Sequence, residues 1–246
     1  TKTSFRFLQT LYNLGPAPEP NMTVLWHPHL PEGFKNFCAK VSIDTSSVQY
    51  ENDSLMRKVR GCDDYGIACC VSYQAIGKAI QFFGARANLA KALLLALNGG
   101  RCENTGTLMV EGIKPLKSDV LDFDEVMANY KKVLHEVARV YNETMNIIHY
   151  MHDKYDYEKS QMAFIDTDPK INLAYGVAGL SIVADSLSAI KHAKVTARRN
   201  ADGLTEGFDI EGEFPKFGND DDRVDVLARD VVQFFNTGLC ARKVYK

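Results

Sequence analysis

The sequence has no long apolar run, few cysteines and no surplus of charge of either sign. No run approaches the roughly 18 apolar residues that span a bilayer, so no membrane segment is expected. Six cysteines in 246 residues are too few for a disulfide scaffold, which favours reduced thiols in a cytosol-like compartment. The net charge of -2 gives no general attraction to nucleic acid or to an anionic membrane surface.

The common cofactor and catalytic motifs are also missing. Residues 176–181 (GVAGLS) fit neither a Walker loop nor a nucleophile elbow, and we interpret their glycines as allowing close packing. His149 and His152 share a helix face, but a zinc site needs three or four ligands, so both are interpreted as ordinary surface or hydrogen-bonded histidines. No dinucleotide, thiamine or pyridoxal constellation is found, so the sequence shows no electron sink for carbanion chemistry.

The composition is that of a folded chain, with 46% hydrophobic and 24% charged residues. A helical pattern from Ser4 to about Asn13 precedes a strand pattern at 22–26, and such alternation favours one mixed α/β unit. Asp122, followed three residues later by Glu125, is typical of a helix N-cap. A long helix with one apolar stripe, interpreted as core, is predicted after it from Val126, Tyr130, Val133, Val137, Tyr141, Met145 and Ile148. Further helices are predicted at 30–37, 87–97, 126–148, 157–164, 179–191 and 223–235, strands at 48–50 and 193–198, and polar or acidic loops at 51–54 and 199–222.

Two adjacent cysteines, Cys69 and Cys70, are the most distinctive feature of the sequence. Neighbouring Cα atoms lie about 3.8 Å apart, whereas bridged cysteines usually lie about 4.4 to 6.8 Å apart, so a disulfide between them would be strained. Free cysteine is among the most buried residue types, so simple packing is one interpretation of the pair. An aromatic and basic stretch, QFFGARANL at 81–89, follows the pair.

Seven stretches of the sequence form a recognisable set. They are SFRFL at 4–8, GPAPEPNMT at 15–23, KVSIDTSS at 40–47, ACCVS at 68–72, FFGARANLAK at 82–91, NIIHYMHDKY at 146–155 and ADSLSAIK at 184–191. The set resembles the pyruvate formate-lyase family of glycyl-radical enzymes, and the resemblance extends from Thr1 to about Phe235. Residues 236–242 depart from the family pattern.

The resemblance implies an α/β fold. Residues 1–246 would be a central, partial piece of a barrel of parallel strands with surrounding helices, and the cysteine pair would lie on a finger loop inside it. Family members are several times longer, and their C-terminal glycyl-radical domain has no counterpart here. We therefore expect an internal fragment that is inactive alone. We also expect poor solubility, because such a piece exposes strand edges and apolar surface.

The resemblance also implies an acyltransferase that converts pyruvate and CoA to acetyl-CoA and formate in anaerobic glucose fermentation. Cys69 would carry the acetyl group, and Cys70 would relay the hydrogen-atom transfer that passes the radical on from glycine. Arg86 would grip the pyruvate carboxylate through a planar fork that lysine cannot reproduce, and Phe83 would wall the acyl pocket. No metal or cofactor is expected in this segment, since CoA is a co-substrate and the radical belongs to the missing C-terminal part.

The expected partners are a radical-SAM activating enzyme and a second copy of the full-length protein, in the cytoplasm or in a eukaryotic organelle. A 2-ketobutyrate formate-lyase shares the cysteine pair and stays open as an alternative. A non-catalytic module, in which the cysteine pair undergoes redox chemistry or binds a metal, also stays open. A dehydratase is less favoured, because those relatives have a glutamate two residues after a single cysteine, where this sequence has Val71 after Cys69 and Ser72 after Cys70.

Overall fold

The computed structural model describes residues 1–17, 19–68, 72–82, 85–155 and 170–245. The chain packs as two compact units, one formed by Thr1–Phe82 and Asp156–Ala174 and the other by Phe83–Tyr155 and Tyr175–Lys246. The assignment of the whole chain to one piece of a barrel stays a prediction. The helix predicted at 157–164 lies outside the described residues.

Helices account for much of the described chain, and those predicted at 4–13, 179–191 and 223–235 are confirmed. The helix predicted to begin at Ala87 begins two residues later, because Arg86–Asn88 form a strand and the Asn88 side chain accepts a 3.0 Å hydrogen bond from the N–H of Lys91. The helices are α1 (Lys2–Leu14), α2 (Glu32–Thr45), α3 (Asp53–Arg60), α4 (Leu89–Leu97), α5 (Phe123–Lys154), α6 (Leu180–His192) and α7 (Asp222–Cys240).

The strands of the described residues pair two by two. Pairs β1–β2, β5–β7 and β6–β8 are parallel, whereas β3–β4 and β9–β10 are antiparallel. In chain order the strands are β1 (Met22–Trp26), β2 (Val48–Asn52), β3 (Tyr65–Ala68), β4 (Ser72–Ala75), β5 (Ala79–Phe82), β6 (Arg86–Asn88), β7 (Lys170–Leu173), β8 (Gly176–Ala178), β9 (Lys194–Arg199) and β10 (Thr205–Glu211).

The strand predictions at 22–26, 48–50 and 193–198 are confirmed, but the two predicted loops are partly wrong. Residues 51 and 52 continue β2, and α3 begins directly afterwards at Asp53 with the Asn52 side chain as its cap. Strand β10 occupies part of the predicted acidic loop. Most of its residues are exposed, so it has little of the apolar alternation by which a half-buried strand is recognised.

The first unit has a core formed by α1 and α2 against β1 and β2. Leu8 and Leu11 lie three residues apart on one face of α1 and are almost fully buried. They pack with Val24 of β1 and with Cys38 and Val41 of α2. This small core holds the parallel pair β1–β2, after which the chain continues into α3 and the β3–β4 pair.

The second unit is organised around α5, which has 32 residues. The predicted cap is confirmed, because Oδ1 of Asp122 accepts a 2.9 Å hydrogen bond from the N–H of Glu125. Asp221 caps α7 through the N–H of Arg223, so this helix begins within the acidic run at 220–222. The predicted apolar stripe of α5 is buried at Val126, Tyr130, Val133, Tyr141 and Met145.

Among the described residues, no helix combines the length and the apolar character that crossing a bilayer requires.

Candidate functional site

Arg86 is the one predicted site residue within the described part of the chain. Cys69, Cys70 and Phe83 lie outside the described residues. Their roles therefore stay predictions, and the structure contributes the elements on either side of them.

The cysteine pair follows β3 and precedes β4 in the sequence. These strands pair antiparallel, with Tyr65 opposite Ala75 and Ala68 opposite Ser72. The chain between the two paired strand ends consists of residues 69–71. A short connection between antiparallel neighbours is the arrangement of a β-hairpin, so the described strands fix where this connection begins and ends.

The β3–β4 hairpin is tied to α3 by a buried carboxylate. The Tyr65 hydroxyl donates a 2.7 Å hydrogen bond to Oδ1 of Asp53, and Nε of Arg57 lies 3.0 Å from both carboxylate oxygens. Burial alone would raise the pKa of Asp53, but the hydrogen bonds from Tyr65 and Arg57 hold that pKa below its ordinary value. The carboxylate therefore stays charged and keeps both partners. The ring of Tyr65 also stacks on that of Tyr73 in β4, with centroids 5.2 Å apart.

Arg86 begins β6, where it lies opposite Gly176 of the parallel strand β8. Ala87 is buried, whereas Arg86 and Asn88 on either side of it are exposed. This alternation places the Arg86 side chain on the exposed face of β6. A guanidinium on an exposed strand face can present its planar donor fork to an anionic group, the geometry in which arginine binds carboxylates.

Tyr141 of α5 connects the two strands beside Arg86. Its hydroxyl donates a hydrogen bond to the carbonyl of Ala85 and accepts one of 2.9 Å from the N–H of Gly176. Burial raises the pKa of Tyr141, while the Gly176 N–H and the positive charge of Arg86 act to lower it. The sequence indicated only that Tyr141 belongs to a buried stripe; nothing in the spacing identified its hydroxyl partners.

A second tyrosine supports the same region. The Tyr175 hydroxyl donates a 2.6 Å hydrogen bond to Oδ1 of Asn142, and its ring meets that of Tyr141 edge-on at 5.0 Å and 76°. Burial raises the pKa of Tyr175 as well. The residue directly before β8 is thus held by α5 through the bond to Asn142.

Gly179 allows α6 to begin close to α4. Its φ of +78° is in the left-handed region that favours glycine. A Cβ at this position would lie 3.0 Å from Cβ of Ala90. The prediction that glycines in the 176–181 segment permit close packing is confirmed for Gly179.

Histidine, cysteine and acidic side chains are the usual protein ligands of metal ions. Over the described ranges, no group of three or more His, Cys, Asp or Glu side chains is placed to hold a metal ion. His149 is fully buried instead of lying at the surface, and its ring meets Tyr245 edge-on at 5.4 Å. His27 and His29 are neighbours, with ring centroids 4.9 Å apart.

Comparison with known proteins places these elements in a family. The family model described as pyruvate formate lyase-like matches residues 1–246. The chain belongs to the pyruvate formate lyase-like family. This pyruvate formate lyase-like chain is 58% identical over 235 residues to formate acetyltransferase 1 of Escherichia coli (strain K12), a match that covers 96% of the chain and 31% of that relative. The chain thus spans about a third of the length of this curated relative.

Solved structures show the same kind of fold. The B12-independent glycerol dehydratase of Clostridium butyricum matches the whole chain with a TM-score of 0.69 at 20% identity, and the chain covers 35% of it. A glycyl radical enzyme of Archaeoglobus fulgidus matches 97% of the chain with a TM-score of 0.68 at 18% identity, and the chain covers 34% of it. This pyruvate formate lyase-like chain therefore has the mixed helix and strand fold of a segment of those enzymes. Neither the 2-ketobutyrate lyase nor the non-catalytic module receives support from these matches.

Proposed function

We propose that this chain is the segment of a formate acetyltransferase that carries the pyruvate-cleaving thiols and a carboxylate-binding arginine. The observation that carries the proposal is the 58% identity to formate acetyltransferase 1 over nearly the whole chain. The whole enzyme would transfer the acetyl group of pyruvate to CoA and release formate. In that enzyme, the cysteine pair would lie on a finger loop inside a barrel of parallel strands.

The chemistry explains why a thiol pair without a cofactor would serve this reaction. Heterolysis of the bond between the carbonyl carbon and the carboxylate of pyruvate would leave an acyl anion, which needs an electron sink. A thiyl radical avoids the anion by adding to the carbonyl carbon and forming an oxyl radical. Cleavage of the carbon–carbon bond then leaves an acetyl thioester on sulfur and releases the carboxylate as a CO₂ radical anion.

The two cysteines would divide the remaining steps. The radical anion takes a hydrogen atom from the Cys70 thiol, which gives formate and returns the unpaired electron to Cys70. CoA then displaces Cys69 from the thioester, which gives acetyl-CoA and a free Cys69 thiol; this is covalent catalysis in two stages. Transfer of the Cys69 hydrogen atom to Cys70 restores the attacking thiyl radical. Successive side chains of an extended segment face opposite sides, so one sulfur can face pyruvate and the other the radical store.

Arg86 and Phe83 would hold the substrate. The Arg86 fork would form two parallel hydrogen bonds to the pyruvate carboxylate, which orients the carbonyl carbon toward sulfur. Phe83, three residues earlier, would wall the pocket around the methyl group. The exposed face of β6 and the fixed backbone beside Arg86 support this assignment.

The whole enzyme would need parts beyond this chain. A radical-SAM activating enzyme would place the radical on a glycine of the C-terminal domain, and two full-length copies would form a homodimer. The enzyme would work in the cytoplasm during anaerobic fermentation.

Isotope exchange between formate and pyruvate tests the proposed function. The full-length enzyme, activated without oxygen, should exchange labelled formate into pyruvate and should prefer pyruvate to 2-ketobutyrate in kcat/KM. Cys69→Ser and Cys70→Ser should each abolish exchange. Cys240→Ser, at an exposed cysteine of α7, is the matched control and should retain it. An activated wild-type enzyme without exchange would overturn the proposal.

A further inference from the structure

We propose that Tyr141 is a positioning residue for Arg86, holding the backbone from which the arginine reaches the pyruvate carboxylate. The proposal rests on the proposed function only through the role of Arg86 as the carboxylate ligand. A residue of α5, more than fifty positions after Arg86 in the chain, would thus control how tightly pyruvate binds.

The Tyr141 hydroxyl bonds to two backbone groups that are immediate neighbours of Arg86. Its hydroxyl donates to the carbonyl of Ala85, the residue directly before Arg86. The same oxygen accepts the N–H of Gly176, the residue opposite Arg86 in the β6–β8 pair. One hydroxyl therefore fixes the start of β6 relative to the start of β8 and fixes both to α5.

The ring of Tyr141 is itself held in place. Only 6% of the residue is exposed. Its ring meets Tyr175 edge-on at 5.0 Å and lies nearly parallel to Phe235, with centroids 6.5 Å apart and an interplanar angle of 20°. Aromatic contacts on two sides leave the hydroxyl little freedom to move, because buried aromatic rings pack at native density.

The protonation state of Tyr141 suits a donor to the Ala85 carbonyl. Burial raises the pKa of this phenol, and the opposing influences of the Gly176 N–H and the Arg86 charge do not reverse that shift. The hydroxyl therefore keeps its proton at neutral pH. The influence of the guanidinium on the phenol also places the Arg86 charge near Tyr141.

Loss of the Tyr141 hydroxyl should weaken pyruvate binding but not abolish it. Tyr141→Phe keeps the ring but leaves the Ala85 carbonyl and the Gly176 N–H without their shared partner. A single hydrogen bond is worth about 0.5–1.5 kcal/mol, or about a two- to twelvefold change in affinity. We expect pyruvate affinity to fall by about that factor and CoA affinity to stay unchanged.

Pyruvate binding to the unactivated full-length enzyme, measured by calorimetry, tests the role independently of turnover. Tyr141→Phe should bind pyruvate more weakly, whereas Tyr12→Phe, the matched control whose hydroxyl donates to Asp44 of α2, should bind as wild type does. In an Arg86→Lys background, Tyr141→Phe should cause little further loss, since both changes act on the same contact. In the activated enzyme, Tyr141→Phe should raise KM for pyruvate much more than it lowers kcat.

Hydrogen exchange of the wild-type enzyme provides a readout that needs no substitution at Tyr141. Pyruvate binding at Arg86 should slow exchange of the Gly176 amide, which bonds to the Tyr141 hydroxyl. Unchanged exchange of Gly176 at saturating pyruvate would overturn the proposed coupling, even if Tyr141→Phe does not fold.

The possible outcomes separate the two proposals. Wild-type affinity in Tyr141→Phe alongside weakened binding in Arg86→Lys would overturn the positioning role. A full loss that persists in the Arg86→Lys background would also overturn it, because the effect would not pass through Arg86. An enzyme that binds pyruvate as expected but exchanges no formate would overturn the proposed function while leaving the role of Tyr141 supported. A wild-type enzyme that does not bind pyruvate would overturn both.

Discussion

Tyr65 donates a 2.7 Å hydrogen bond to Oδ1 of Asp53, and this bond ties β3 to the first turn of α3. Arg57, one turn further along α3, binds the same carboxylate. The attachment lies three residues before Ala68, the last described residue ahead of the cysteine pair. The hairpin strands that flank the thiols are therefore anchored by a charged and buried group.

Tyr65→Phe should loosen the β3–β4 hairpin. The change removes one donor from the buried Asp53 carboxylate and should cost about 1 kcal/mol of local stability. Hydrogen exchange of the Gly66 and Ile67 amides in the full-length protein should become faster. Tyr155→Phe, at an exposed position, is the control and should leave these amides unchanged. Equal protection of β3 in Tyr65→Phe and wild type would refute the anchoring role.

Arg86→Lys should raise KM for pyruvate by about tenfold and leave KM for CoA unchanged, because an ammonium cannot form the planar two-bond contact to a carboxylate. Steady-state kinetics of the activated full-length enzyme provides the measurement. Arg198→Lys, on β9, should leave both constants unchanged, since Arg198 pairs with Asp209 at an exposed site. Unaltered saturation by pyruvate in Arg86→Lys would remove Arg86 from the site.

Asp221 should stabilise the start of α7 in a pH-dependent way. The Arg223 side chain donates hydrogen bonds to the Asp221 carboxylate and has the larger effect, and the Arg223 N–H donates another. Together they lower the pKa of Asp221 from 3.8 to about 2. Because the folded pKa lies below the unfolded value, the stabilisation is complete above about pH 4 and is lost as the pH falls through about 2. The difference in thermal midpoint between wild type and Asp221→Asn should therefore narrow from about pH 5 to about pH 3. A difference that stays constant or widens would contradict this.

Asn98 should be important for joining α4 to β10. Its Oδ1 accepts hydrogen bonds from the N–H and the hydroxyl of Thr205, at 2.9 and 2.8 Å, and both residues are buried. Asn98→Ala leaves two buried donors unpaired and should cost about 1–3 kcal/mol in the free energy of unfolding. Asn98→Asp keeps the acceptor and lies near Arg199, so it should cost less. Chemical denaturation of both variants checks the order, and equal losses would exclude the acceptor role.

Local features of this fold could be predicted from the sequence. The spacing of Asp122 and Glu125 predicts a cap because the bond joins residues three positions apart. The stripe of α5 follows from helical periodicity alone. The start of α4 could not be predicted in the same way. Residues 86–88 form β6 only by pairing with β8, which lies about ninety residues away in the sequence.

The candidate site could be predicted only in part. The family resemblance predicts roles for Cys69, Cys70, Phe83 and Arg86, but the local sequence pattern does not predict the strand that carries Arg86. The partners of Tyr141 lie 56 and 35 residues away, at Ala85 and Gly176. No periodic pattern specifies which backbone groups a buried hydroxyl will meet, because that depends on how α5 packs against the two strands.

Trapping of the acetyl group tests the central claim most directly. The activated full-length enzyme is mixed with pyruvate in the absence of CoA, quenched with acid and analysed by peptide mass spectrometry. We expect an acetyl thioester on Cys69, none on Cys70, and loss of the acetyl group when CoA is added before quenching. Formate release with no acetyl group on Cys69 would contradict the claim that this thiol cleaves pyruvate.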